Sequence, residues 1–206
     1  MMGIPNIAPY PLPVPADLPP NVAPWVLDPT RAALLVHDMQ KYFLRPFAED
    51  MTRQLTENVV SLKSRSSSLG MPVAYTMQPG MTTQERGLLA DFWGTGMRAE
   101  PGERDVPEPL TPGSGDEVFT KWRYSAFFRT GLLEWLRRHG RDQLIICGVY
   151  GHVGVLATAV DALSHDIQTF LVADAVADFS ADHHRLCLAY AAQNCAVVTT
   201  AREILP

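Results

Sequence analysis

Cysteine is scarce in this sequence, which has three cysteines, Cys147, Cys187 and Cys195, among 206 residues. An odd number of cysteines without framework spacing does not fit a disulfide-stapled secreted domain. Disulfides persist mainly in oxidising compartments, so a chain without them belongs in a reducing one. We therefore expect free, buried thiols and a cytoplasmic protein.

Long apolar runs and clusters of basic residues are also missing. No run approaches the roughly 20 apolar residues that span a bilayer. The first thirty positions contain no lysine and do not have the pattern of a secretion signal. Seventeen Lys and Arg against 22 Asp and Glu give a net charge of -5, and no basic stretch marks a nucleic-acid surface. We expect neither a membrane nor a nucleic-acid partner, which leaves a small molecule as the better candidate.

Proline, by contrast, is concentrated at one end of the chain. Nine of the 17 prolines lie within residues 1–29, where missing N–H donors and fixed φ angles favour an extended backbone. This composition predicts an N-terminal arm over residues 1–29, packed either on its own domain or on a second subunit. Residues 30–206 are numerous and apolar enough to form one domain with its own core.

Short aliphatic or β-branched runs alternate with longer segments of helical periodicity. Strands that are apolar on both faces and separated by helices are typical of a parallel sheet covered on both sides. The sequence therefore predicts an α/β fold: three layers, doubly wound, around a parallel sheet of six strands. The predicted strands are residues 33–37, 73–76, 117–120, 144–149, 169–172 and 196–199.

One connection is unusually long, because about 40 residues separate Thr76 from Asp116. Connections of this length in a compact domain are usually functional or disordered. Thr82 and Glu85 have the spacing of a capping box, which predicts that the connection begins with a helix. We interpret the segment as a wall or lid over a binding site.

Polar side chains follow the predicted strands. In a parallel sheet, ligands bind beyond the carboxyl ends of the strands, so these side chains are candidates for a site. Asp38 follows the first strand and Lys121 the third, and the two can meet over the sheet edge; a structural ion pair or a helix cap is the alternative. The other candidates are Gln78, residues 150–154, Asp174, Asp178 and Ser180.

Residues 144–163 form a strand, a turn with two glycines and a helix that is apolar on nearly all faces. The first N–H groups of such a buried helix, near Gly154, can bind a carboxylate or an oxyanion. The alternative is that Gly151 and Gly154 only permit close packing. The residues alone favour close packing over a binding site.

Three motifs in this order resemble the isochorismatase-like hydrolase superfamily. They are HDMQ after the first predicted strand, TKWRYSAF around the third and CGVYGHVGVLATAVDA around the fourth. The longer strings HDMQKYFLRPF and TKWRYSAFF are most similar to the phenazine-pathway enzymes that hydrolyse 2-amino-2-deoxyisochorismate. The resemblance covers roughly residues 5–205, and the ordered set is specific although each motif alone is weak.

The chain departs from two branches of this superfamily. Its amidases have a nucleophilic cysteine at the elbow, where this chain has Gly154, and none of the three cysteines is placed to replace it. Its metal-dependent nicotinamidases have an Asp-x-His pair where this chain reads Thr76-Met77-Gln78. We therefore expect no covalent intermediate, no metal and no cofactor. We interpret His183 and His184 as a solvated face, and His37 and His152 as hydrogen-bonded structural residues.

The resemblance implies that Asp38 donates a proton to the vinyl ether of an isochorismate-like acid and releases pyruvate. Such an acid needs a raised pKa, so burial must outweigh the nearby Lys121. Lys121 and the N–H groups at Gly154 would bind substrate carboxylates, and Gln78 and Arg86 other polar groups. Aromatic side chains would wall the pocket, although they are as easily core: Phe43, Trp93, Tyr124 and Tyr150.

Several alternatives stay open at this point. The ring of the substrate carries either an amine, as in 2-amino-2-deoxyisochorismate, or a hydroxyl, as in isochorismate. An amidase on the same fold and a non-catalytic binding protein are the rival functions. The resemblance also implies a homodimer. Because the sixth strand is followed by Pro206 and no carrier domain, we expect the protein to act alone on free substrate.

Overall fold

Six parallel strands form one sheet in residues 4–80 and 82–205, the part of the chain that the computed structural model describes. Their spatial order is β3-β2-β1-β4-β5-β6. The strands are β1 Ala32–His37, β2 Val73–Met77, β3 Glu117–Thr120, β4 Gln143–Val149, β5 Gln168–Ala177 and β6 Ala196–Thr199. The α/β class, the six strands and the parallel sheet predicted from the sequence are confirmed.

Helices cover both faces of this sheet. They are α1 Lys41–Leu44, α2 Glu49–Ser68, α3 Thr83–Arg86, α4 Leu89–Trp93, α5 Pro101–Arg104, α6 Leu132–Arg138, α7 Leu156–Ser164, α8 Ala181–Asn194 and α9 Ala201–Ile204. Successive side chains of β1 alternate between the two faces. Leu34 packs in the cluster that includes α2 and α9, whereas Leu35 packs in the cluster that includes α6, α7 and α8. The fold therefore has the three layers that the sequence predicts.

The strand order places a topological switch point between β1 and β4. The chain runs outward from β1 to β3 and then returns to β4, which pairs with β1 along Ala32–His37. Ligands of doubly wound sheets bind at such points, beyond the carboxyl ends of the strands. Asp38 follows β1 and the glycine-bearing turn follows β4, so both lie at the switch point.

Two strands differ from their predictions. β3 lies at the edge of the sheet and pairs, among the described strands, with β2 alone, so Phe119 is its one buried residue. β5 continues five residues beyond the predicted end at position 172, after an irregularity in its pairing with β4. Asp174 consequently lies inside β5 and not beyond its end, and its carboxylate accepts a hydrogen bond from the backbone N of Ala201 at 2.7 Å. Asp174 is therefore not a site residue.

The proline-rich arm packs against its own domain. Ile7 and Leu12 are buried in the cluster on the α2 face of the sheet. Asn21 exchanges two hydrogen bonds with the backbone of Val198 in β6, at 2.9 and 2.7 Å. Residues 1–3 of the predicted arm, and Pro206 at the end of the predicted domain, lie outside the described residues. The boundary between positions 29 and 30 stays a prediction.

The long connection between β2 and β3 contains the three short helices α3, α4 and α5. The predicted capping box is present, because Thr82 Oγ1 accepts from Glu85 N at 3.3 Å and Glu85 Oε2 accepts from Thr82 N at 2.9 Å. None of the helices in residues 4–80 and 82–205 is long and apolar enough to cross a bilayer.

Candidate active site

A cavity lies beyond the carboxyl ends of β1 and β4, where ligands of parallel sheets bind. All nine site residues predicted from the sequence are in its lining: Asp38, Phe43, Gln78, Arg86, Trp93, Lys121, Tyr124, Tyr150 and Gly154. The lining thus comes from the ends of β1 to β4, from α1 and from the long connection.

Asp38 and Lys121 form a buried ion pair in this lining. Lys121 Nζ is 2.7 Å from Asp38 Oδ2, and the side chains are 3% and 5% exposed for Lys121 and Asp38 respectively. Thr76 Oγ1 donates to Asp38 Oδ1 at 2.7 Å. Gln78 Nε2 lies 3.4 Å from Oδ2. The Asp38 carboxylate is therefore held by side chains at the carboxyl ends of β2 and β3, which lie at the same edge of the sheet.

The pKa of Asp38 lies below its ordinary value in this structure. Burial by itself raises that pKa, but the positive charge of Lys121 and the hydrogen bonds from Lys121 and Thr76 lower it, and the lowering effects prevail. The direct contact between Lys121 Nζ and the carboxylate is the main cause of this lowering. The expectation that Asp38 is protonated applies once substrate carboxylates occupy Lys121, and it stays a prediction.

Gln40, the last residue of the HDMQ motif, fixes the position of Gln78. Its side-chain Oε1 accepts from Gln78 N at 2.7 Å, and its Nε2 donates to Gln78 O at 2.9 Å and to Arg104 O at 2.7 Å. Gln40 is completely buried. Gln40 was not among the predicted site residues, although its position directly after β1 is a signal that could have identified it.

Arg86 brings an uncompensated positive charge to the cavity. It is 4% exposed, and its Nε donates to the carbonyl of Gly94 at 2.9 Å. No carboxylate in residues 4–80 and 82–205 pairs with its guanidinium, and burial holds the pKa of Arg86 below its ordinary value. Arg86 is thus a cavity residue and not the solvated helix residue that was its alternative. A buried guanidinium without a partner is suited to an anionic ligand.

Aromatic rings form one side of the cavity. Trp93 Nε1 donates to the Tyr124 hydroxyl at 2.8 Å, and Tyr150 donates to the carbonyl of Phe43 at 2.6 Å. Phe179 lies between them, with ring centroids 4.5 Å from Tyr150 and 5.6 Å from Trp93. The sequence analysis missed Phe179, although it follows Asp178 directly beyond β5. It also missed Ile4 and Tyr42, which line the cavity without any strand-end signal.

Residues Gly151–Val155 form a π-helical turn, the elbow, between β4 and α7. The fully buried carboxylate of Asp178 accepts from His152 N and from His152 Nδ1, each at 2.6 Å, and from Phe179 N at 2.8 Å. His152 is therefore a hydrogen-bonded structural histidine, as predicted. His37 is one as well, since its Nδ1 lies 2.8 Å from the carbonyl oxygen of Val149.

The prediction that His183 and His184 form a solvated face is confirmed for His183 and wrong for His184. His183 is exposed and stacks on His152, with ring centroids 4.3 Å apart. His184 is 1% exposed, because Tyr10 of the arm covers it and places its hydroxyl 3.2 Å from His184 Nδ1. The helical periodicity of α8 could not predict this burial, because the residue that covers His184 lies near the other end of the chain.

Residues 32–203 match the family model for the Isochorismatase domain. The chain belongs to the isochorismatase family. It is a hydrolase of that family, as the three ordered motifs indicated.

Close relatives agree with this assignment. The chain is 58% identical over 206 residues to the phenazine biosynthesis protein PhzD1 of Pseudomonas aeruginosa, with 100% of both chains covered. It is 56% identical over 206 residues to a probable isochorismatase of Pseudomonas chlororaphis, again with 100% of both covered. A solved cysteine hydrolase from Pseudomonas syringae pv. phaseolicola 1448A shares the fold, with a TM-score of 0.81, 25% identity, and 90% of this chain and 95% of that chain covered.

The cavity of this isochorismatase-family protein has no cysteine in its lining. Cys147 lies inside β4, Cys187 lies inside α8, and Cys195 directly follows α8. All three thiols are free and buried, and burial raises the pKa of each. Within residues 4–80 and 82–205, no group of three or more His, Cys, Asp or Glu side chains is arranged to hold a metal ion.

Proposed function

We propose that this protein hydrolyses the vinyl ether of 2-amino-2-deoxyisochorismate to pyruvate and trans-2,3-dihydro-3-hydroxyanthranilate, a step of phenazine-type biosynthesis. The observation that carries the proposal is the buried Asp38 in a cavity with three cationic side chains, Lys121, Arg86 and Arg123, and no cysteine. A vinyl ether resists nucleophiles but reacts with acids, and the substrate is a dicarboxylate. The full-length similarity to PhzD1 supports the choice of the amine over the hydroxyl.

The reaction begins when Asp38 protonates the terminal methylene carbon of the enolpyruvyl group. The adjacent carbon becomes an oxocarbenium centre, to which water adds, and the carboxylate of Asp38 takes up the proton that the water loses. The resulting hemiketal collapses: its hydroxyl proton is transferred to the ring oxygen, the carbon–oxygen bond to the ring breaks, and the hydroxyl carbon becomes the carbonyl of the departing pyruvate. No group is transferred to the protein and no cofactor is consumed.

Asp38 must be protonated for the first step, although its pKa is lowered in the protein without substrate. A substrate carboxylate that binds Lys121 Nζ removes the contact that lowers this pKa. The aromatic side of the cavity, formed by Trp93, Tyr124 and Tyr150, excludes water from the ring, and burial then favours the neutral carboxylic acid. In this scheme, substrate binding to Lys121 raises the pKa of Asp38 and so prepares it to donate a proton.

The remaining predicted side chains bind the substrate. Arg86 has a planar guanidinium that suits a bidentate contact with the second carboxylate. Gln78 is fixed by Gln40 and places its amide beside Asp38. Phe43 packs edge-on against Tyr150, with ring centroids 6.0 Å apart, and completes the aromatic side. The backbone N–H groups near Gly154 are the proposed contact for a carboxylate.

A coupled assay tests the proposal. Purified protein is given 2-amino-2-deoxyisochorismate or isochorismate, and pyruvate is followed through lactate dehydrogenase. We expect the larger kcat/KM for the amine. Turnover of isochorismate alone would establish the alternative hydrolase, which the probable isochorismatase of P. chlororaphis makes the second candidate. Absence of pyruvate with both substrates would leave a binding protein on the same fold.

We further propose that the protein is a cytoplasmic homodimer. Three free, buried thiols suit a reducing compartment. Apolar side chains stand exposed on α7 and α8: Val160, Leu163 and Leu186. Sedimentation equilibrium gives the mass in solution, and a monomer at micromolar concentration contradicts this part of the proposal.

A further inference from the structure

We propose that His37 is a positioning residue for the proton donor Asp38, and that position 154 is glycine because the His37 imidazole fills the space beside it. The inference rests on the proposed vinyl ether hydrolysis and adds a residue to it. It concerns a side chain that immediately precedes Asp38 and lines the same cavity.

His37 joins the ends of the two central strands. It is the last residue of β1 and is completely buried, and its Nδ1 lies 2.8 Å from the carbonyl oxygen of Val149, the last residue of β4. The same nitrogen is 3.9 Å from Asp38 Oδ2. The imidazole is thus fixed at the switch point, between the proton donor and the start of the elbow.

Two glycines, Gly148 and Gly154, allow their backbones to approach His37 closely. A Cβ at Gly148 would lie 2.1 Å from the carbonyl oxygen of His37. A Cβ at Gly154 would lie 2.5 Å from Cε1 and 3.1 Å from Nε2 of His37, and 3.2 Å from the carbonyl oxygen of Tyr124, so the His37 ring is the nearest obstacle. Gly154 does not have a positive φ, so its backbone would accept other residues. Space, and not conformation, is therefore what requires glycine at position 154. The same contact keeps any nucleophilic side chain out of the elbow while His37 is in place.

The charge state of the imidazole fits this role. Burial lowers the pKa of His37 to about 4, so the ring is neutral at the pH of the cell. A neutral ring next to the carboxylate orients Asp38 without adding a cation that would keep it ionised. His37 therefore supports a proton donor in a way that a buried lysine or arginine at the same place would not.

A double-mutant cycle between positions 37 and 154 tests the inference. The variants are His37→Asn, Gly154→Ala and the double variant; Asn keeps a hydrogen-bonding group for Val149 O but lacks the atoms that a Cβ at 154 would meet. Gly115→Ala is the matched control, because a Cβ there meets nothing within 4 Å and φ is not positive. Pyruvate release and the thermal midpoint of unfolding are measured for each variant.

We expect Gly154→Ala to lower kcat about 100-fold and His37→Asn about tenfold, with KM changing about threefold or less. The double variant should turn over at least about tenfold faster than the product of the two single effects allows, since residues in contact couple. The Gly115→Ala control should behave as the wild type. If Gly154→Ala does not fold, the double variant must restore folding.

Additive effects on kcat would overturn the inference, as would a Gly154→Ala variant with wild-type kcat. Loss of substrate affinity in place of kcat in His37→Asn would also overturn it, because that pattern belongs to a binding residue. Failure of the proposed function is seen separately: the wild type then releases no pyruvate from either substrate. In that case the coupling in thermal midpoints still tests the contact between His37 and Gly154.

Discussion

The hydroxyl of Tyr10, in the N-terminal arm, accepts a hydrogen bond from the backbone N of Asp178 at 2.7 Å. It also lies 3.2 Å from the Asp178 carbonyl oxygen, to which it donates. Asp178 in turn binds the elbow through His152 and precedes Phe179 of the cavity. The arm is thereby connected to the candidate active site, although it is far from it in sequence.

Replacing Tyr10 by Phe should therefore weaken both stability and catalysis. The change leaves two buried backbone groups of Asp178 without their partner, which costs about 1–3 kcal/mol. We also expect a lower kcat/KM because Phe179 loses its support. Urea unfolding and the pyruvate assay measure the two effects. Tyr190→Phe, at a site 47% exposed, is the control; equal behaviour of the two variants contradicts the prediction.

The pair Asp38–Lys121 yields a second prediction. Asp38→Asn should abolish pyruvate release, because the amide cannot donate a proton to carbon. It should also destabilise the protein by about 3 kcal/mol, since Lys121 is left buried and unpaired. The double variant Asp38→Asn/Lys121→Met should regain stability but not activity. Turnover by Asp38→Asn within tenfold of the wild type would remove Asp38 from the mechanism.

Lys121 alone should affect binding and turnover together. Lys121→Ala removes the proposed carboxylate contact, so KM should rise, and it removes the switch that prepares Asp38, so kcat should fall. We expect kcat/KM to decrease about 100-fold or more, from one lost charged hydrogen bond and the uncoupled acid. Initial rates over a range of substrate concentrations separate the two parameters. A change confined to one of them contradicts the coupled role.

Individual residues show which parts of the fold and of the candidate site could be predicted from the sequence. Asp38, Lys121 and Gln78 were predicted as neighbours because the carboxyl ends of parallel strands share one edge, and the structure brings them together. Ile4 and Tyr10 were not assigned a contact, since an extended proline-rich chain has no periodicity that shows which side is covered. The extension of β5 was missed because Asp174, a poor strand former, interrupts the apolar run. The local pattern of apolar residues predicted the strands and the polar side chains at their carboxyl ends. Contacts between segments that are distant in sequence could be seen only in the folded structure.

Arg86 should govern affinity for the acidic substrate. Its guanidinium has no carboxylate partner among the described residues, so a bound carboxylate would gain its full charge-assisted contact. Arg86→Gln should raise KM about 10–100-fold, the equivalent of about 1.5–3 kcal/mol. Arg86→Lys should recover only part of this, since ammonium cannot make the bidentate contact. Arg53→Gln, at an exposed ion pair, is the control, and equal KM values in Arg86→Gln and the wild type rule out the contact.

The buried histidines predict how stability depends on pH. Burial lowers the pKa of both His184 and His37 to about 4 in the folded protein, against about 6.5 in the unfolded chain. Between these values the unfolded chain binds more protons, so stability is fully present above pH 6.5 and falls as the pH drops towards 4. Each histidine should account for about 2 kcal/mol between pH 6.5 and pH 5. His184→Gln should make the urea-unfolding free energy less dependent on pH by that amount, whereas His183→Gln, at the exposed neighbour, should not. An unchanged slope in His184→Gln would mean that the Tyr10 contact accommodates the charged ring.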